Sequence, residues 1–125
     1  MAHLSSIVMR IAINTRLLLP NKLEGIGWYT HEVVSRMVHE HPESSFYFLF
    51  DRPWSTQFIY SKNVIPVLLY PQARHPLLWK IWFDWSVSRW ANRVQPDILF
   101  HPDSFAALRT DVPQVTVCHD LAYLH

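Results

Sequence analysis

A chain of 125 residues, half of them hydrophobic, can fill one folded core but is too short for several domains. A formal net charge of +1 excludes the basic footprint of a nucleic-acid-binding protein, and a single cysteine, Cys118, excludes an internal disulfide framework and suits a reducing compartment. No apolar run has the length needed to cross a bilayer, and the first residues lack the charged-then-apolar pattern of a secretory leader.

Residues 1–6 precede any regular pattern and read as an N-terminal extension, with the domain over 7–125. Ile7 to Ile13 is nearly all apolar, which predicts a parallel strand covered on both faces and ending near Asn14. A loop from Thr15 to Glu24 follows, with Leu17, Leu18 and Leu19 unusually apolar for a solvated connection. It leads to Gly25 and Gly27, the two glycines of the chain. From Ile26 the apolar residues Tyr29, Val33, Val34, Met37 and Val38 recur at helical spacing until Pro42 stops the helix. His39 and His41 with Glu40 and Glu43 resemble metal ligands in spacing alone; a solvated charged helix end explains them, and no metal is expected.

Phe46–Phe50 reads as a second strand and Val64–Leu69 as a third, where Pro66 predicts a sheet edge because proline cannot donate to a ladder. A second helix is predicted over Leu77–Val94, bounded by Pro76 and Pro96. Asp97–His101 and Gln114–Cys118 complete five strands, and His119 and Asp120 follow. Strands alternating with helices predict an α/β fold: a Rossmann-like, doubly wound parallel sheet in the order 3-2-1-4-5. The pattern stops after strand five without a terminal helix, as expected of a truncated domain.

Ligands of such sheets bind beyond the carboxyl ends of the strands, so the candidates are Asn14 to Gly27, Asp51, His101 to Ser104, His119 and Asp120. Two glycines opening a helix let a ligand approach main-chain N–H groups at a positive dipole end, which favours phosphate; they also serve as an ordinary tight turn. The dinucleotide fingerprint is mostly missing, since Gly25 stands far from strand one and position 30 is Thr30. Only Asp51 at the end of strand two is where a ribose-binding acid would sit. His119 can donate, accept or shuttle a proton, or be satisfied by backbone groups. His101 is open to the same two readings.

The segment Leu77–Trp90 holds four of the six tryptophans. Trp79, Trp82, Phe83 and Trp90 share one helical face, which predicts packing on the sheet, while Lys80, Asp84 and Ser88 are expected to form a polar stripe. The alternative use of so much tryptophan is a partner surface or a peripheral membrane contact.

Four pieces of the chain resemble the N-terminal domain of the family-four GT-B glycosyltransferases, particularly their mannosyltransferase-like branch. They are Met9–Arg16, Gly25–Thr30, Gln95–His101 and Pro113–Leu121, of which the Gly-Ile-Gly-x-Tyr-Thr and His-Asp-Leu parts are the specific ones. The resemblance implies one half of a two-domain fold, with the donor-binding C-terminal domain and its pair of carboxylates missing from this chain. It implies sugar transfer, with retained anomeric configuration, from a nucleoside-diphosphate sugar to a sugar or lipid-linked acceptor. That reaction has no required metal or cofactor and takes place in the cytoplasm, in polysaccharide or glycolipid synthesis, with peripheral contact at the inner membrane face as a variant. Gly25, Ile26 and Gly27 would approach the donor diphosphate, His119 would contact the transferred sugar as the catalytic residue, and Asn14, Arg16, Trp28 and His101 would face the acceptor. Trp28 stands where a basic or polar residue is commoner, which implies a differently tuned acceptor surface. By this reading the fragment alone is inactive. The rival expectations are an oxidoreductase domain that binds a dinucleotide through Asp51, and a non-catalytic module that presents the tryptophan helix to a partner or membrane.

Overall fold

A computed structural model describes residues 8–20, 23, 25–73, 75–103, 107 and 109–117. Five parallel strands form one sheet: β1 (Arg10–Asn14), β2 (Ser45–Phe50), β3 (Val64–Leu68), β4 (Ile98–His101) and β5 (Gln114–Thr116). Their order is β3-β2-β1-β4-β5, as the alternating pattern predicts. Pro66 lies on the edge strand β3, opposite Phe48 of β2. An edge position leaves proline's missing N–H without a ladder to break.

The strands alternate their side chains between two cores, which is what a sheet covered on both faces requires. Phe46, Phe48 and Phe50 of β2 join Ile13 of β1 and Val64 of β3 on one side. There they meet Val34 and Val38 of α1 (Ile26–Glu40). Leu18 and Leu23 of the β1–α1 connection pack into the same core, which accounts for an apolar residue at Leu18 in that connection. Near the other end of α1, the Asn63 amide donates to the Val38 and His41 carbonyls at 3.1 Å, satisfying groups that a helix C-terminus leaves open.

On the opposite face, Ala12, Leu49 and Leu99 meet a long helical rod. It consists of α2 (Pro76–Ile81), a π-helical turn (Trp82–Val87) and α3 (Ser88–Val94), with helical φ and ψ through both junctions. The rod begins on Pro76 itself, one residue earlier than expected, because a first-turn position has no intrahelical use for the N–H that proline lacks. It ends at Gln95, which takes a left-handed conformation (φ 55°, ψ 60°) ahead of Pro96.

The π turn corrects the expected polar stripe. Asp84 and Ser88 are buried, 7% and 1% exposed, instead of lying outward beside Lys80. More residues per turn than an α-helix rotate the following positions inward. Asp84 is met by Lys80 Nζ at 3.5 Å, and the Ser88 hydroxyl donates to the Phe83 carbonyl at 3.1 Å. The tryptophans behave mainly as core, with Trp82 fully buried and Trp90 5% exposed. Trp85 alone of these four stands half in solvent. Among the described residues no helix is long and apolar enough to cross a membrane.

Candidate functional site

The strand order reverses direction between β1 and β4, and the carboxyl ends of these two strands carry a buried polar cluster. Asn14 is the last residue of β1, and Asp103 follows β4 by two positions. Asn14 Nδ2 donates to Asp103 Oδ2 at 2.9 Å, and Arg16 Nε donates to the same oxygen at 3.0 Å. Asn14 Oδ1 accepts from the Arg16 backbone N–H at 3.2 Å, which makes the β1 turn part of the cluster. The guanidinium of Arg16 lies 5.2 Å from the Trp79 ring centroid and 5.5 Å from that of Phe83, so the helical rod supplies its aromatic floor.

His101, the end of β4, shares that floor: its ring centroid is 5.8 Å from Phe83. Its tautomer follows from Gln114. Gln114 Nε2 donates to the Ala107 carbonyl at 2.7 Å, while Oε1 accepts from the Ala107 N–H at 3.0 Å. Oε1 is therefore an acceptor for His101 as well, and the imidazole proton sits on Nε2, 2.9 Å away. Nδ1 is left as a buried lone pair without a hydrogen-bond partner. Burial holds the imidazole below the usual histidine range, against smaller opposing pulls from the Gln114 bond and the Asp103 charge. His101 favours its neutral form and fastens β4 to Gln114 of β5, which in turn holds Ala107.

The glycine turn has a different character. Gly25 takes φ +45°, and a Cβ built on it would meet nothing within 4 Å. At Gly27 a Cβ would come within 3.0 Å of the Leu17 carbonyl oxygen, so this glycine lets the loop backbone lie against the first turn of α1. Among the described residues no side chain caps α1, and its first turn contains no acidic residue. Trp28 is not part of the polar cluster. It stands on α1, 52% exposed, edge-on to His31, whose Nδ1 is 2.9 Å from the Tyr60 hydroxyl.

The expected site residues thus divide. Asn14 and Arg16 meet through Asp103, with His101 two positions before it, and all three expected residues are buried. Trp28 is the solvent-facing member, and His119 lies outside the described residues, as do Asp120 and Cys118. Asp103 lies within the expected span His101 to Ser104, but sequence reasoning gave it no role of its own. Its signal was available: a carboxylate just past strand four and an arginine just past strand one become neighbours once those strands pair.

Asp51 is fully buried and already engaged. Its two oxygens accept from Arg52 Nε at 2.9 Å and Nη2 at 3.1 Å, and Oδ2 also accepts from the Ala73 N–H at 2.8 Å. Its carboxylate anchors the Arg52 side chain and the Ala73 backbone. His39, Glu40, His41 and Glu43 are exposed, and His39 Nε2 lies 3.3 Å from the Tyr60 carbonyl. Among the described residues no group of three or more metal-ligating side chains gathers. Comparisons with protein-family models, with curated proteins and with solved structures give no match to this chain.

Proposed function

We propose that this chain is the acceptor-side half of a retaining glycosyltransferase that moves a sugar from a nucleoside-diphosphate donor to an acceptor hydroxyl. The observation that carries the reading is the Asn14–Asp103 bond across the β1/β4 crevice, the point of a doubly wound sheet where ligands bind. The glycine turn opens α1 beyond the end of β1, at this same end of the sheet.

In this reading the open side of Gly25 and the uncapped first turn of α1 meet the donor diphosphate. Main-chain N–H groups there offset charge on the leaving phosphate as the anomeric bond breaks. His119 hydrogen-bonds the transferred sugar. Buried and mutually bonded, Asn14, Arg16 and Asp103 hold the β1 and β4 loops rigid, and the acceptor is held on the surface they shape, with Trp28 its exposed aromatic wall. The donor's base and sugar are recognised by a second domain.

The test is to express whole the reading frame that encodes this chain and to measure transfer from UDP- and GDP-sugars. His119→Ala is expected to lower turnover at least about tenfold while leaving the melting temperature unchanged. Absence of transfer, or full turnover in the variant, overturns the assignment.

A further inference from the structure

Away from the polar cluster, a groove of about 310 Å³ runs between the end of the edge strand β3 and the helical rod. Leu68, Leu69 and Tyr70 form one wall, and Trp85, Ser86, Arg89, Trp90 and Arg93 the other. The walls are tied together: the Trp82 indole N–H donates to the Leu69 carbonyl at 2.9 Å, and the Ser86 hydroxyl donates to the Tyr70 carbonyl. These bonds fix the spacing between the end of β3 and the rod.

Its chemistry is one-sided. Arg89 and Arg93 are one helical turn apart, exposed, and without a hydrogen bond or ion pair among the described residues. Among the described residues, two other arginines on this side are occupied: Arg10 donates to the Val94 and Gln95 carbonyls, and Arg16 to Asp103. Among the described residues no carboxylate lines the groove. The Arg109 guanidinium lies 4.6 Å from the Trp85 ring centroid and adds positive charge at the rim. Two aromatic surfaces, Tyr70 at 67% and Trp85 at 51% exposed, stand at its mouth without a core to join.

Paired guanidiniums recognise phosphate through bidentate hydrogen bonds, and an exposed aromatic face suits the apolar side of a sugar ring. The volume is at the small end of ligand sites, enough for one ring and its charged group. We propose that this groove binds a free phosphorylated sugar, the phosphate held by Arg89 and Arg93 and the ring laid against Tyr70 and Trp85. The inference does not depend on the glycosyltransferase reading, since the groove shares no residue with the β1/β4 cluster.

Calorimetric titration of the chain with glucose 6-phosphate, glucose and inorganic phosphate tests it. Glucose 6-phosphate is expected to bind at least roughly tenfold more tightly than either fragment. Arg89→Ala and Arg93→Ala are each expected to weaken it about tenfold, whereas Arg36→Ala, on the opposite face of the sheet, leaves it unchanged. Tyr70→Ala should weaken the sugar phosphate but not inorganic phosphate. These residues are exposed, and unchanged far-UV circular dichroism melts would show that the variants fold. No binding of glucose 6-phosphate, or binding indifferent to Arg89 and Arg93, overturns the proposal. So does sedimentation with phosphatidylglycerol vesicles in the absence of glucose 6-phosphate binding, which would make this face a membrane surface instead.

Discussion

Asn14 and Asp103 stand 89 positions apart in sequence, yet their side chains meet at 2.9 Å and close the crevice between β1 and β4. The same carboxylate takes the Arg16 guanidinium, and both partners of that ion pair are less than a tenth exposed. Burial makes this pair costly to break from one side. Desolvation of both charges is already incurred, so removing the carboxylate leaves a cation without its counter-charge. Asp103→Ala is expected to lower unfolding free energy by about 3–5 kcal/mol in urea. Adding Arg16→Met, which keeps an apolar chain against Trp79 and Phe83, should return part of that loss, the remainder being the Asn14 amide that has lost its acceptor. A double variant no more stable than Asp103→Ala would mean that the pair is not the unit that matters.

The two glycines should respond to alanine for different reasons. At Gly25 the space is open but φ is +45°, so the cost is backbone strain of about 1–3 kcal/mol. At Gly27 the conformation is helical, and alanine gains roughly 1 kcal/mol of helix propensity. Its Cβ, however, would press on the Leu17 carbonyl at 3.0 Å, and forced backbone shifts of that kind cost about 1–3 kcal/mol. Both variants are expected to be less stable in urea. A Gly27→Ala variant more stable than the parent would show that the loop yields freely.

The strand order was legible because each strand is a short, mostly apolar run and a polar or proline-bearing segment separates it from the next. The proline in the third run also left only an edge position for β3. The first helix was equally legible, from Ile26 to Glu40. The second was legible as a helix but not in its facing: a 3.6-residue period puts Asp84 and Ser88 with Lys80, and the π turn that buries them leaves no mark in the residue types. Of the candidate site, Asn14, Arg16 and His101 were found from their places at strand ends. Asp103 lay inside the expected span His101 to Ser104 but was given no role of its own, because that role arises from two loops brought side by side, a tertiary fact that spacing along the chain does not encode.

The tryptophans give a direct measure of which part of the rod is core. Trp90 is 5% exposed and lies against Tyr47, with ring centroids 5.3 Å apart. Trp90→Ala is expected to cost about 3–5 kcal/mol, because a large cavity opens beneath the sheet. Trp85 is 51% exposed, and Trp85→Ala should cost less, about 1–2 kcal/mol, for its half-buried ring and its contact with Arg109. Thermal melts followed by far-UV circular dichroism separate the two. Equal effects would contradict the inward facing of Trp90.

His101 couples the fold to pH, and the sign follows from its burial. The imidazole pKa is lowered in the folded chain, chiefly by desolvation, relative to an unfolded value near 6.5. Below about pH 6.5 the unfolded chain takes up a proton that folded His101 resists, so the unfolded state binds more protons. This contribution to stability is complete above the unfolded pKa and is lost as pH falls from there toward the folded value. The loss proceeds at up to about 1.4 kcal/mol per pH unit. His101→Gln keeps an N–H donor for Gln114 but cannot titrate. Between pH 7.5 and 5.5, urea midpoints of the parent should fall more steeply than those of His101→Gln, and the other histidines cancel in the difference. Parallel curves would mean that His101 carries its proton equally in both states, and that its buried Nδ1 accepts one without cost.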